Sequence, residues 1–127
     1  DSTKTDMVTA AFKALIYQVM DIKEALKIDG IEINNLSIDG GMAANSSFCQ
    51  LLADFLGQEV HVPPSLESTA TGAAITAGLG SNFFSIDDLQ AKQSKHSTTY
   101  RPRDEILDLS DLAKWRKFLR VLLDAYN

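Results

Sequence analysis

Residues 36–60, LSIDGGMAANSSFCQLLADFLGQEV, decide the fold of this 127-residue chain. The segment INNLSID, which ends in Ile38 and Asp39, sets Ile33, Leu36 and Ile38 in loose alternation and reads as a short strand. Asp39-Gly40-Gly41 then breaks the run as a turn. Beyond it Phe48, Leu51, Leu52, Phe55 and Leu56 fall on one helical face, and Gly57 stands where a helix C-cap belongs. QEVHV is a second short strand, stopped by Pro63 and Pro64. A strand, a helix and a strand in that order predict a parallel pair with a right-handed crossover.

Working outward, residues 5–28 are periodic. Met7, Ala11, Leu15, Val19, Ile22 and Leu26 recur at three- and four-residue steps, and Phe12, Ile16 and Met20 widen the stripe. A helix so broadly apolar is expected to be well buried, with Gly30 as its stop. On the other side, ESTATGAAITAGLG (67–80) reads as a helix of small residues able to approach a sheet or another helix closely. SIDDLQAK reads as a short helix with Ser85 as N-cap. QSKHSTTYRPR is polar and reads as a surface connection. The last helix runs from about Ser110 to Tyr126, with Leu112, Trp115, Leu119, Leu122 and Tyr126 on its buried side. The expected architecture is a single α/β domain over residues 1–127, with short parallel strands flanked by helices. Two strands make a poor sheet, so partner strands outside these residues are expected.

Composition narrows the function. The chain is 45% hydrophobic and 23% charged, ordinary for a globular domain. Its formal net charge of −5 disfavours a nucleic-acid or anionic-membrane partner. No apolar stretch approaches the ~20 residues of a membrane span. The single cysteine, Cys49, lies in an apolar helical pattern and predicts a reduced, cytoplasmic chain. His61 and His96 have no ligand spacing to each other or to Cys49, so no metal site is expected. Asp21 and Glu24 read as solvated positions on the first helix. Asp87-Asp88 and Asp108/Asp111 read as helix N-terminal acids. Lys92, Lys95, Arg101 and Arg103 read as a solvated basic loop.

The glycine pair is the one candidate for chemistry. A plain strand-to-helix turn accounts for it, and pattern alone leans that way. The alternative is a ligand site. Ligands of open α/β sheets bind beyond the carboxyl ends of strands, and a residue without Cβ lets a flat ring or phosphate come close. The following helix adds free N–H groups and a positive dipole end. Asn45 could cap that helix or present its amide to a ligand.

Three segments in order, YQVMDIKEAL (17–26), LSIDGGMAANSSFCQLLADFLGQEV and ESTATGAAITAGLG, resemble the C-terminal part of glycerol kinases. So do YRP (100–102) and the Trp115 helix. These enzymes are members of the FGGY carbohydrate kinases, ATP-dependent enzymes with the ribonuclease-H-like, actin/Hsp70-like fold. The D-G-G-x-x-x-N stretch is shared by many sugar kinases, and Tyr17-Gln18-x-x-Asp21 is more particular to glycerol kinases. Residues 6–13, DMVTAAFK, match the tail of a family signature, except that an acidic or amide residue is usual where Lys13 stands. Thr71 replaces a usual leucine, residues 42 and 46–48 vary around the turn, and SNFF (81–84) replaces the usual aromatic ending.

The resemblance implies transfer of the γ-phosphoryl of Mg2+-bound ATP to glycerol, giving glycerol 3-phosphate. It implies that Gly40, Gly41 and Asn45 touch the adenosine end of the nucleotide, with Asp39 a weaker candidate and the small-residue helix behind the adenine pocket. The catalytic Asp, the phosphate loops and the polyol-binding residues would lie upstream, so no catalytic residue is expected among these residues. ATP or ADP is the implied partner, with glycerol or a related polyol held by the upstream part and a homo-oligomer as the full-length form. Other readings are a family kinase for xylulose or gluconate, and a non-catalytic nucleotide-binding module.

Overall fold

The computed structural model describes residues 1–65, 67–91, 97–104 and 109–126. Its elements are α1 (Lys4–Ile28), β1 (Leu36–Ser37), a 3-10 turn (Gly41–Ala44), α2 (Ser46–Leu56), β2 (Val60–Val62), α3 (Ser68–Gly80), α4 (Ile86–Ala91), β3 (Thr98–Tyr100) and α5 (Ser110–Tyr126). Lys92, Lys95, His96 and Asp108 lie outside the described residues.

α2 is the centre of the structure. Phe48, Cys49, Leu52, Ala53, Asp54 and Phe55 are all buried. The helix ends as its sequence predicts: Gly57 takes φ 61° and the Gln58 N–H reaches back to the Ala53 carbonyl. Around α2 the main core gathers Ile16, Tyr17, Val60 and Leu112. Its aromatic rings meet edge-on, Phe12 with Phe48 at 5.5 Å and Tyr17 with Phe55 at 5.9 Å between centroids.

The sheet corrects the expected order of elements. β1 and β2 are parallel, with Leu36 opposite Val60 and Ser37 opposite His61. A third strand, β3, pairs antiparallel with β2, matching Val60 to Tyr100 and Val62 to Thr98. The sheet is therefore mixed, in the order β1-β2-β3, rather than parallel throughout. Residues 98–100 read as polar connection because Thr-Thr-Tyr sits inside a polar run. β-branched and aromatic side chains nevertheless suit a pleated surface, and β2 supplies the ladder.

α1 begins with a capping box: Thr3 Oγ1 accepts from the Asp6 N–H, and the Thr3 N–H donates to the Asp6 carboxylate at 2.8 Å. The Thr3 N–H and the Thr3 hydroxyl both donate to the Asp6 carboxylate and hold its pKa below the ordinary value. The burial of α1 departs from expectation. Ile16 and Tyr17 are buried and Phe12, Val19 and Met20 lean on the core, whereas Met7, Leu15 and Ile22 are exposed. The periodicity marks an apolar arc wider than α2 and α5 cover. α5 shows the same thing: Leu112 is buried and Trp115 packs against Tyr17 at 5.7 Å, but Leu119, Leu122 and Tyr126 are exposed.

α3 also departs from expectation. Of its residues only Gly78 is buried, against the ring of Phe84, so the close packing predicted for its small side chains is not made within the described residues. α4 is capped as predicted, by reciprocal bonds between Ser85 and Asp88.

Two charged groups read as solvated are structural. Arg116 of α5 reaches α1, with Nε 2.8 Å from Asp21 Oδ1 and Nη2 2.6 Å from Glu24 Oε2. Asp21 and then Glu24 stabilise the charged guanidinium and raise its pKa, against the cost of burial. Lys13, the residue that departs from the family signature, binds Asp111 at 3.1 Å and so joins α1 to the start of α5. The bonds from Lys13 and Lys114 hold the Asp111 carboxyl low. The sequence separations, 95 residues for Arg116 to Asp21 and 98 for Lys13 to Asp111, explain why no local pattern shows these pairs.

Candidate nucleotide-binding turn

β1 leaves the sheet with Ile38, whose N–H donates to the His61 carbonyl at 2.9 Å. Asp39 is exposed. Gly40 then takes φ 78° and ψ −174°, a region essentially closed to residues with a Cβ. That one residue redirects the chain. The 3-10 turn follows at once, closed by bonds from the Ala43 N–H to the Gly40 carbonyl and from the Asn45 N–H to the Met42 carbonyl, at 3.0 and 3.1 Å.

Asn45 is the N-cap of α2. Its Oδ1 accepts from the Phe48 N–H at 3.0 Å, and its carbonyl takes the Cys49 N–H. The cap uses the oxygen of the amide, which leaves Nδ2 as the donor group for a ligand. A Cβ built on Gly41 would meet no atom within 4 Å. Gly40, Gly41 and Asn45 are thus brought together on one short exposed rim, over the positive end of an 11-residue helix. At Gly40 and Gly41 the rim has open space where a Cβ would stand.

Beneath the rim lies a second, smaller core of Ala43, Cys49 and Val62, with Ile38 and Tyr100 against it. The Cys49 thiol contacts the Ala43 carbonyl at 3.4 Å. Burial pushes the Cys49 pKa up, so the group stays a thiol.

Further along α2, Asp54 binds Arg103: Oδ1 accepts from the Arg103 N–H at 2.9 Å and Oδ2 from Nη2 at 2.6 Å. Gln50 donates to the same carboxylate and to the Arg101 carbonyl. Arg101 itself pairs with Glu59 at 2.9 Å. The arginines of the predicted basic loop are therefore a clasp on α2 and on the edge of β2. The only local signal of it is an acid inside the apolar run Leu52-Ala53-Asp54-Phe55. His61 is used at Nδ1, which lies 3.0 Å from Thr99 Oγ1. Among the described residues no cluster of three or more His, Cys, Asp or Glu is placed to hold a metal ion. Among the same residues no helix is long and apolar enough to cross a membrane.

An α/β unit with a glycine turn at the carboxyl end of a strand has that turn where ligands of open α/β sheets bind. The chain belongs to the FGGY family of carbohydrate kinases, whose C-terminal domain matches residues 1–81, the turn included. It is 41% identical over 101 residues to the glycerol kinase of Vibrio campbellii, an alignment covering 78% of this chain and 20% of that protein. It is 36% identical over 129 residues to the glycerol kinase of Nitrosomonas eutropha, covering 98% of this chain and 26% of the other. The glycerol kinase of Streptococcus agalactiae serotype Ia is 40% identical over 122 residues, covering 94% and 24%. The chain thus spans from 20% to 26% of the length of these curated relatives. The crystal structure of Plasmodium falciparum glycerol kinase with ADP superposes with a TM-score of 0.66 at 23% identity, over 98% of this chain and 25% of that one. The fold is accordingly that of the C-terminal part of a ribonuclease-H-like, actin/Hsp70-like domain.

Proposed function

We propose that residues 1–127 form one partial domain on the nucleotide side of an ATP-dependent glycerol kinase. The turn at Gly40, Gly41 and Asn45 forms the wall against which the adenosine end of ATP rests. The observation that carries this is the rim itself: a strand end, a glycine with a closed-off φ and ψ, open space where the Gly41 Cβ would stand, and a capped helix start beneath. Support for glycerol as the acceptor comes from the relatives, three glycerol kinases from three bacterial genera that align over 78% to 98% of the chain.

Phosphoryl transfer depends on positioning and on stabilising charge in the transition state. In this reading the described residues fix the adenosine end, and the groups that meet the γ-phosphoryl, Mg2+ and the polyol come from the remainder of the kinase. The use of ATP as co-substrate favours a cytoplasmic reaction. A coupled assay of ADP release tests the reading. The full-length protein is expected to turn over ATP with glycerol and not with xylulose or gluconate, and residues 1–127 alone to give no turnover. Release of ADP with xylulose or gluconate in preference to glycerol would reassign the substrate. Failure with all three would favour a non-catalytic nucleotide-binding module.

A further inference from the structure

The rim is exposed, yet its conformation is fixed from below. The two backbone bonds that close the 3-10 turn use the carbonyls of Gly40 and Met42. The Ala43 carbonyl is instead taken by the thiol of Cys49, a fully buried residue one turn into α2. The Cys49 N–H binds the Asn45 carbonyl at 3.1 Å, so one residue grips both ends of the segment that joins the turn to its cap. Tyr100 of β3 packs on the same small core and on the main core, and Val60 is its partner across the ladder. β3 lies beyond the residues matched by the family domain, yet it closes the floor under the turn.

We propose that Cys49 is a positioning residue for nucleotide binding: its thiol, donating to the Ala43 carbonyl, holds the Gly41–Ala44 turn in the shape that receives the adenosine end. The proposal rests on the assignment of the turn given above. A thiol donates weakly, but its bond to the Ala43 carbonyl is buried, and loss of the donor leaves that acceptor unsatisfied. The turn then relaxes, and the rim is no longer preorganised for its ligand.

The test uses the full-length protein, with Mg-ADP binding by calorimetry and KM values for ATP and glycerol. Cys49→Ala is expected to raise the Kd for Mg-ADP and the KM for ATP about fivefold, the loss of one modest hydrogen bond. Cys49→Ser, which keeps a donor, stays within about twofold of the parent on the same scale. The KM for glycerol is unchanged in both. Gly41→Val runs beside them as the control for the turn itself. Unchanged nucleotide affinity in Cys49→Ala, with Gly41→Val strongly weakened, overturns the role of Cys49 and leaves the turn standing. Equal losses in the Ala and Ser variants also overturn it, since packing alone would explain them. Unchanged affinity in Gly41→Val removes the turn assignment and the proposal with it. If Cys49→Ala does not fold, Cys49→Ser against Cys49→Val gives the same comparison of donor with no donor.

Discussion

Asp54 and Arg103, 49 residues apart, form an ion pair in which a carboxylate buried in α2 is met by both the backbone and the side chain of its partner. The Asp54 side chain is 1% exposed and that of Arg103 is 51% exposed. Burial opposes ionisation of the acid, but the bonds from Arg103, joined by Gln50, outweigh it and hold the carboxyl below its ordinary range. Arg103→Ala removes the guanidinium but leaves the residue-103 N–H and Gln50 on the carboxylate, so a loss of about 1–3 kcal/mol in folding stability is expected. Chemical denaturation of the two proteins at pH 7 measures it.

The pH dependence follows from the sign of that shift. A carboxyl whose pKa is lower in the folded state stabilises the fold fully above the unfolded value of about 4, and the contribution is lost as pH falls through the folded value. Asp6 and Asp111, also held low, act in the same direction. The unfolding temperature is expected to be flat from about pH 7 to 5 and to fall below about pH 4. In Arg103→Ala burial acts with less opposition, so the folded pKa of Asp54 rises toward the unfolded value and less stability is lost on acidification. Melts followed by circular dichroism should differ most near pH 7 and converge toward low pH, and a constant offset across this range would contradict it.

Gly40 and Gly41 separate backbone strain from ligand contact. Neither position would bring a Cβ within 4 Å of another atom. Gly40→Ala nevertheless forces a closed backbone region and should cost about 1–3 kcal/mol of stability. Gly41→Val should leave stability nearly unchanged and weaken ATP binding more than tenfold, about 1.4 kcal/mol or more, without moving the KM for glycerol. The contrast is read from melts and ATP titrations on the same two variants.

Asn45 has two separable groups. Asn45→Ala loses the cap on the Phe48 N–H and about 1 kcal/mol with it. Asn45→Asp keeps an acceptor for that N–H and adds a favourable charge at the helix start, so stability is retained. It also removes the amide donor, and ATP affinity is expected to fall although the melt does not. Retained affinity in Asn45→Asp beside a loss in Asn45→Ala would assign the residue to capping alone.

Gly78 and Phe84 form a steric lock at the end of α3. A Cβ on Gly78 would run into the Phe84 ring. Gly78→Ala should destabilise by about 1–3 kcal/mol, the cost of overpacking, despite the better helix propensity of alanine. Adding Phe84→Ala should recover most of that loss in a double-mutant cycle.

The sequence makes the local features plain and hides the distant ones. Gly57 ends α2 and Asn45 begins it because caps are written in adjacent residues. Gly40 and Gly41 can be singled out, yet their surroundings cannot, since the floor of the turn brings Ala43 and Cys49 to Val62 and Tyr100. β3 is illegible because three residues in a polar run carry no period, and only the edge of β2 gives them one. Asp21, Glu24, Arg101 and Arg103 look solvated for the same reason, their partners being tens of residues away. The apolar stripes of α1 and α5 are visible as stripes, but amphipathicity does not say which side a neighbour will cover.

The largely exposed α3 has a consequence for how the molecule breathes. Its apolar side chains lie all around the axis, so it has no single face to commit to the core, and among its residues Gly78 alone is buried. α2, with six of its side chains buried, cannot open without dissolving the main core. In residues 1–127 taken alone, amide hydrogens along α3 should therefore exchange with solvent by local opening, well before those of α2. The helix that supports the glycine turn is expected to keep its amide hydrogens longer than the helix that follows it in sequence.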